Sequence, residues 1–243
     1  MKQLRASVFL AIMLTINLAV NAQGFAFFQV ENAITKALIK NQGDKPGVIE
    51  IVVDENTNIK NVPMKYKLLS GCKISEQTPL TSDFTTPQTI TIDKGGVSKE
   101  WTIAVHQLKS EKAPVSIEFG KNNACTIASE PEWAGYGIDY TKNTVVRFGN
   151  DGNMFFAAIP QDAKTVSYNL TVVGNKALEG IFDIETSEDG KKWKRQISYT
   201  SGNPIKNNED VSMELPANAK YIRWVYATRE AKQNVNLNNI TIK

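Results

Sequence analysis

Apolar and polar side chains alternate with a period of two along most of this chain, and no segment carries a sustained helical stripe. That alternation marks strands that bury one face. Ile49, Ile51 and Val53 share one face, as do Met64, Tyr66 and Leu68, with Lys65 and Lys67 on the opposite side. In EWTIAVH (100–106) the same phase turns Trp101, Ile103 and Val105 inward and leaves His106 on the outer face. GDKPG (43–47), SG (70–71) and KGG (94–96) punctuate these runs with turn chemistry. The pattern predicts a β-sandwich over residues 23–108, with the size and strand spacing of an immunoglobulin-like fold.

KSEKAP (109–114) is polar, charged and closed by proline, and reads as a linker. Strands then resume at 115–119, 144–148, 154–159, 165–173, 180–187, 194–199, 210–215, 221–228 and 234–242. GNDGN (149–153) and EDGKK (188–192) supply the Asn, Asp and Gly that hairpin loops need. In the last strand Val235 and Leu237 share a phase that Ile240 and Ile242 do not, which predicts a bulge near Asn238-Asn239. Nine short strands over 115–243 fit an antiparallel jelly roll, so the expected class is all-β: an immunoglobulin-like sandwich followed by a larger jelly-roll sandwich.

The N-terminus changes the setting. Lys2 and Arg5 precede an apolar run from Val8 to Leu18, and Val20-Asn21-Ala22 offers a cleavage site before Gln23. The run is too short for a membrane span, and no cysteine follows it to carry a lipid. Residues 1–22 therefore read as an export signal, which places the protein in the periplasm, at the cell surface or outside the cell. Removing 22 of 243 residues leaves 221, and losing Lys2 and Arg5 takes the net charge from +3 to +1. That balance argues against nucleic acid and against an anionic membrane surface. Cys72 and Cys125 either bridge the two modules or stay as buried thiols; the sequence leaves both readings open.

Two sets of residues carry a resemblance. KPGVIEIVVDENTNIKNV (45–62), SDFTTPQTITI (82–92) and KEWTIAVHQL (99–108) resemble the small immunoglobulin-like domains that begin many secreted and surface proteins of Bacteroidetes. FDIETSEDGKKW (182–193), AKYIRWVY (219–226) and NVNLNNITI (234–242) resemble the jelly-roll, galactose-binding-like and discoidin-type sandwiches of the same kinds of proteins. Asn238 stands where related domains often have aspartate. The resemblance implies a non-enzymatic envelope protein for adhesion or carbohydrate binding, with a polysaccharide or an envelope protein as partner.

Candidate chemistry is sparse. With one histidine, His106, a nucleophile–base pair and a histidine-rich metal site both lack their parts, and no cofactor motif is present. Paired carboxylates at Glu130 and Glu132 would be the only hydrolytic route. NDGN (150–153) resembles a calcium loop but lacks the full pattern, so a plain turn is expected. The sequons at Asn169 and Asn239 lie within strands. EPEWAGYGIDY (130–140) has the composition of a sugar platform: aromatic faces for the ring, acids for its hydroxyls. Trp133 and Tyr136 are the expected stacking residues there, with Glu132 and Asp139 as hydroxyl acceptors. Trp101, Trp193 and Trp224 read as core, Trp193 packing under its hairpin turn.

Overall fold

The computed structural model describes residues 23–41, 43–110, 112–117, 129–130, 133–138, 145–174 and 177–243. Among them every regular element is a strand. The first seven are β1 (Phe25–Val30), β2 (Leu38–Lys40), β3 (Gly47–Val53), β4 (Met64–Leu68), β5 (Lys73–Ile74), β6 (Gln88–Lys94) and β7 (Val97–Gln107). Then come β8 (Val115–Ile117), β9 (Ser129–Glu130), β10 (Trp133–Tyr136), β11 (Val146–Phe148), β12 (Asn153–Ala158) and β13 (Thr165–Val172). The chain closes with β14 (Ile181–Ser187), β15 (Lys194–Tyr199), β16 (Glu209–Glu214), β17 (Tyr221–Thr228) and β18 (Val235–Ile242).

Two compact units emerge. The first takes in residues up to Glu31, Ala37–Glu50 and Asn58–Ala104; the second takes in Asn32–Lys36, Ile51–Thr57 and Val105–Lys243. In the first unit β1 pairs with β4, and a five-stranded sheet runs β2-β3-β7-β6-β5, of which Ile51–Val53 of β3 and Val105–Gln107 of β7 are counted with the second unit. Trp101 anchors its interior edge-on to Phe25, with ring centroids 5.4 Å apart. Gly47 permits this packing, because a Cβ there would stand 2.4 Å from the Trp101 ring. All seven residues of β3 are buried, Glu50 included, so the strand is covered on both faces rather than on one. Glu50 meets Lys40 at 3.3 Å. His106 also departs from its expected outer position and is 3% exposed. Alternation assigns residues to two faces, and here both faces of the strand are covered.

In the second unit a six-stranded sheet runs β15-β14-β17-β12-β10-β9, and a second sheet runs β11-β18-β13-β16 with β8 also on β18. Among the described residues the strand pairings within these sheets are antiparallel. Their inner faces meet in one core: Phe155, Ile184, Ile222, Trp224 and Tyr226 from the first sheet, Val166, Tyr168, Leu170, Leu237 and Ile242 from the second. This unit is a β-sandwich. Ser167 pairs with Thr241 and Asn169 with Asn238, so β18 carries one extra residue opposite Tyr168. That is the bulge the phase change predicts, and Asn239 takes it up with a left-handed φ of 49°.

Candidate functional site

The outer face of the six-stranded sheet holds the densest chemistry among the described residues. Register fixes two neighbouring rows across it. One runs Tyr136, Met154, Val225, Asp183, Ser198; the next runs Ala134, Phe156, Arg223, Glu185, Arg195. Phe156, Ala134, Ala158 and Tyr221 form a second small apolar cluster with Ile34, Val52 and Leu108, all within this unit. Tyr136, Met154 and Trp193 pack against its margin, which leaves a mixed aromatic and charged strip beside it.

Charge on the strip is held by partners. Arg223 grips one oxygen of Glu185, with Nε at 2.6 Å and Nη2 at 2.5 Å. Its Nη1 lies 3.9 Å from the Met154 sulfur. Burial pushes the Arg223 guanidinium below its ordinary pKa, while Glu185 and Asp183 oppose that shift. Asp183, 2% exposed, accepts from Ser198 at 2.6 Å and pairs with Arg195 at 3.0 Å. A charge so enclosed survives only because both partners reach it.

Trp193 reaches this strip from the β14–β15 hairpin, and the turn sequence explains how. Asp189 accepts the backbone N–H groups of Lys191 and Lys192, each at 2.8 Å. Those bonds hold its carboxyl below the usual range and its charge in place. Ser187 Oγ accepts from the Gly190 N–H and donates to the Lys192 carbonyl. Gly190 supplies the left-handed φ of 69° that this closed turn needs. Trp193 then folds back, and its Nε1–H donates to the Gly190 carbonyl at 3.1 Å. The Arg223 guanidinium lies over the indole at 4.1 Å, and Phe156 meets it edge-on at 5.8 Å. Trp193 thus packs under its turn as expected, yet stays half-buried and lines a cleft of about 460 Å3. Ser187, Asp189, Lys192, Pro216 and Ala219 line the same cleft, and its Glu188, Asp189, Lys192 and Lys194 carry balancing charges.

The residues expected to form a sugar platform fall differently. Trp133 is 9% exposed and points into the sandwich, its ring 5.2 Å from that of Phe155. Pairing of Trp133 with Ala157 puts it in phase with Ile222 and Thr186 on the inner face. The expected stacking role of Trp133 therefore gives way to a core role. Tyr136, out of phase with it, faces outward and is half-buried on the strip. Glu132 and Asp139 lie outside the described residues, as does Cys125. Glu130 belongs to β9, which pairs with β10. From its sequence context Trp193 reads as core. The signal that points further is the S-x-D-G-x-x-W turn, which presents its ring at a hairpin end rather than within a strand.

Two other candidates resolve into local structure. In GNDGN, Asn153 Oδ1 accepts from the N–H groups of Gly149 and Asn150, both at 2.8 Å, and Asp151 accepts from the Arg229 N–H. The segment joins β11 to β12, which lie in different sheets, so it is a crossover turn between the sheets and not the expected hairpin loop. Among the described residues no cluster of three or more His, Cys, Asp or Glu is placed to hold a metal. Asn169 is buried, its amide donating to Asn208 at 3.1 Å and Asp210 at 2.8 Å. No described helix is long and apolar enough to cross a membrane.

No protein-family model matches the chain, and no curated protein matches it. Among solved structures, a candidate glycoside hydrolase from Bacteroides thetaiotaomicron aligns over 91% of this chain and 96% of its own, at 12% identity and a TM-score of 0.49. The K2 cleaved adhesin domain of Lys-gingipain aligns over 54% of this chain and 98% of its own, at 15% identity and a TM-score of 0.40. Carbohydrate-binding module CBM36, solved with calcium and xylotriose, aligns over 53% and 99%, at 7% identity and a TM-score of 0.32. None of these similarities assigns a ligand or a residue role to this chain.

Proposed function

We propose that this chain is an exported, non-catalytic binding protein of the cell envelope that holds a glycan on its C-terminal sandwich. In this reading residues 23–108 are an immunoglobulin-like module, 109–114 a linker and 115–243 a jelly roll. The observation that carries it is Trp193: a half-buried indole at the wall of a cleft of about 460 Å3, beside hydrogen-bonding and charged groups. A pyranose ring offers an apolar face to indole and hydroxyls to carboxylates and ammonium groups, which is what this wall presents. Tyr136 adds a second aromatic on the same sheet face, and Glu132 and Asp139 flank it in sequence. The balanced charge of the lining favours a neutral glycan over a uronate.

Affinity electrophoresis of the full chain tests this. Gels containing xylan, galactomannan or mixed-linkage β-glucan are expected to retard the protein, and Trp193→Ala is expected to run at its free mobility. Unretarded wild-type protein in all three gels would sink the reading.

A second reading, an adhesion component that contacts envelope proteins, is favoured by one feature of the first unit. Phe27 and Tyr66 are each 44% exposed on the two-stranded β1–β4 ribbon. Pairing sets Tyr66 opposite Phe28 and Phe27 opposite Lys67, so the two rings stand on opposite faces of the ribbon and offer two separate apolar contact points. Co-purification with an envelope protein that is lost in the Phe27→Ser, Tyr66→Ser double variant would support it.

A further inference from the structure

Trp193 does not hold its position alone, and the residue that sets it is not in its own hairpin. Its indole has one face under the Arg223 guanidinium at 4.1 Å. Arg223 comes from β17, two strands away from β15, because β14 lies between them. Its own freedom is removed from three directions. Glu185, directly opposite on β14, takes both Nε and Nη2 on one oxygen. The Met154 sulfur, from β12 on the other side, contacts Nη1. The indole covers what remains. Three strands and one hairpin therefore converge on a single guanidinium.

We infer that Arg223, anchored by Glu185, is a positioning residue that fixes the Trp193 ring and confines stacking to the ring surface lining the cleft. The inference rests on the glycan-binding reading above and sharpens it to a residue that need not touch sugar. Physical chemistry favours arginine in this role. A planar guanidinium stacks on an indole while its edge N–H groups remain in plane for a carboxylate, and a lysine ammonium cannot do both. The Glu185 carboxylate and the guanidinium are both partly buried and require each other, so the pair stays formed whether or not the cleft is filled. A ring held this way loses little rotational freedom when a sugar arrives, and preorganisation of that kind appears as affinity.

The experiment uses the full chain labelled with 5-fluorotryptophan, which carries four tryptophans. The fluorine resonance absent from Trp193→Phe belongs to Trp193. Arg223→Met and Glu185→Gln are expected to shift or broaden that resonance and leave the other three in place, which also shows that the fold is kept. In galactomannan, xylan and β-glucan gels, whichever retards the wild type, both variants are expected to bind roughly three- to tenfold more weakly, the cost of ordering one freed side chain. Arg223→Lys is expected to behave like Arg223→Met and not to rescue. Wild-type retardation with unchanged affinity in Arg223→Met overturns the inference and leaves the glycan reading standing. A Trp193 resonance unmoved in both variants overturns it as well. Wild-type protein unretarded in every gel removes the glycan reading itself, and with it the role assigned to Arg223.

Discussion

Replacing Trp133 with alanine separates a core tryptophan from a surface one. The ring is 9% exposed, sits 5.2 Å from Phe155, and Phe155 in turn lies 5.8 Å from Trp224. These three rings follow one another across the inner face of β10, β12 and β17, so removing the first leaves a void that neighbouring strands cannot close. Buried tryptophan-to-alanine changes cost about 3–5 kcal/mol, the transfer term plus the cavity term. For a domain of this size that lowers Tm by about 6–20 °C. Trp193→Ala instead loses a cation–π contact worth about 1–2 kcal/mol and one hydrogen bond worth about 1 kcal/mol. Its expected loss is therefore about half as large. Thermal melts followed by circular dichroism measure both, and gel retardation below the melting point measures binding. Trp133→Ala is expected to melt early yet bind while folded; Trp193→Ala is expected to melt nearer to wild type and not bind. A Trp133→Ala protein that melts within about 2 °C of wild type but has lost retardation would refute the assignment of these two rings.

Three further outcomes follow from other parts of the molecule. Gly47→Ala would drive a Cβ to 2.4 Å from the Trp101 ring, and overpacking of that kind costs about 1–3 kcal/mol, readable in urea titration. Asn239 is exposed with φ at 49°, so Asn239→Val is expected to cost about 1–2 kcal/mol while Asn239→Gly leaves the urea midpoint nearly unchanged. Burial lowers the His106 pKa from 6.5 to about 4, so the unfolded chain takes up a proton first as pH falls. The stability tied to neutral His106 is whole above pH 6.5 and is lost progressively down to about pH 4, by about 3 kcal/mol in all. Unfolding free energies measured at pH 7 and pH 5 should differ in wild type and differ less in His106→Gln; equal slopes would contradict the burial of this ring.

Much of the local structure was legible in the chain. The runs 194–199 and 221–228 are the strands β15 and β17 to the residue, and the broken phase between Leu237 and Ile240 is the bulge at Asn239. Such features depend on neighbours in sequence: alternation, turn residues, and the tolerance of asparagine for a left-handed backbone. The EDGKKW turn belongs with them, since its Asx bonds span only a few residues.

Tertiary structure decided which face of each strand looks inward. Period-two alternation sorts WAGY into Trp133 with Gly135 and Ala134 with Tyr136, but it is silent on which pair meets the core. Pairing with β12, whose Phe155 and Ala157 are inward, settles that, and Trp133 goes with them. For β3 and for His106 both faces are covered, so an outward phase no longer means exposure. The strip at Trp193 was invisible for a related reason. Arg223, Glu185 and Met154 lie far apart along the chain, and only register across β12, β17 and β14 brings them under one indole. Hydrophobic periodicity is a property of one strand, whereas a site on a sheet is a property of the order in which strands lie side by side.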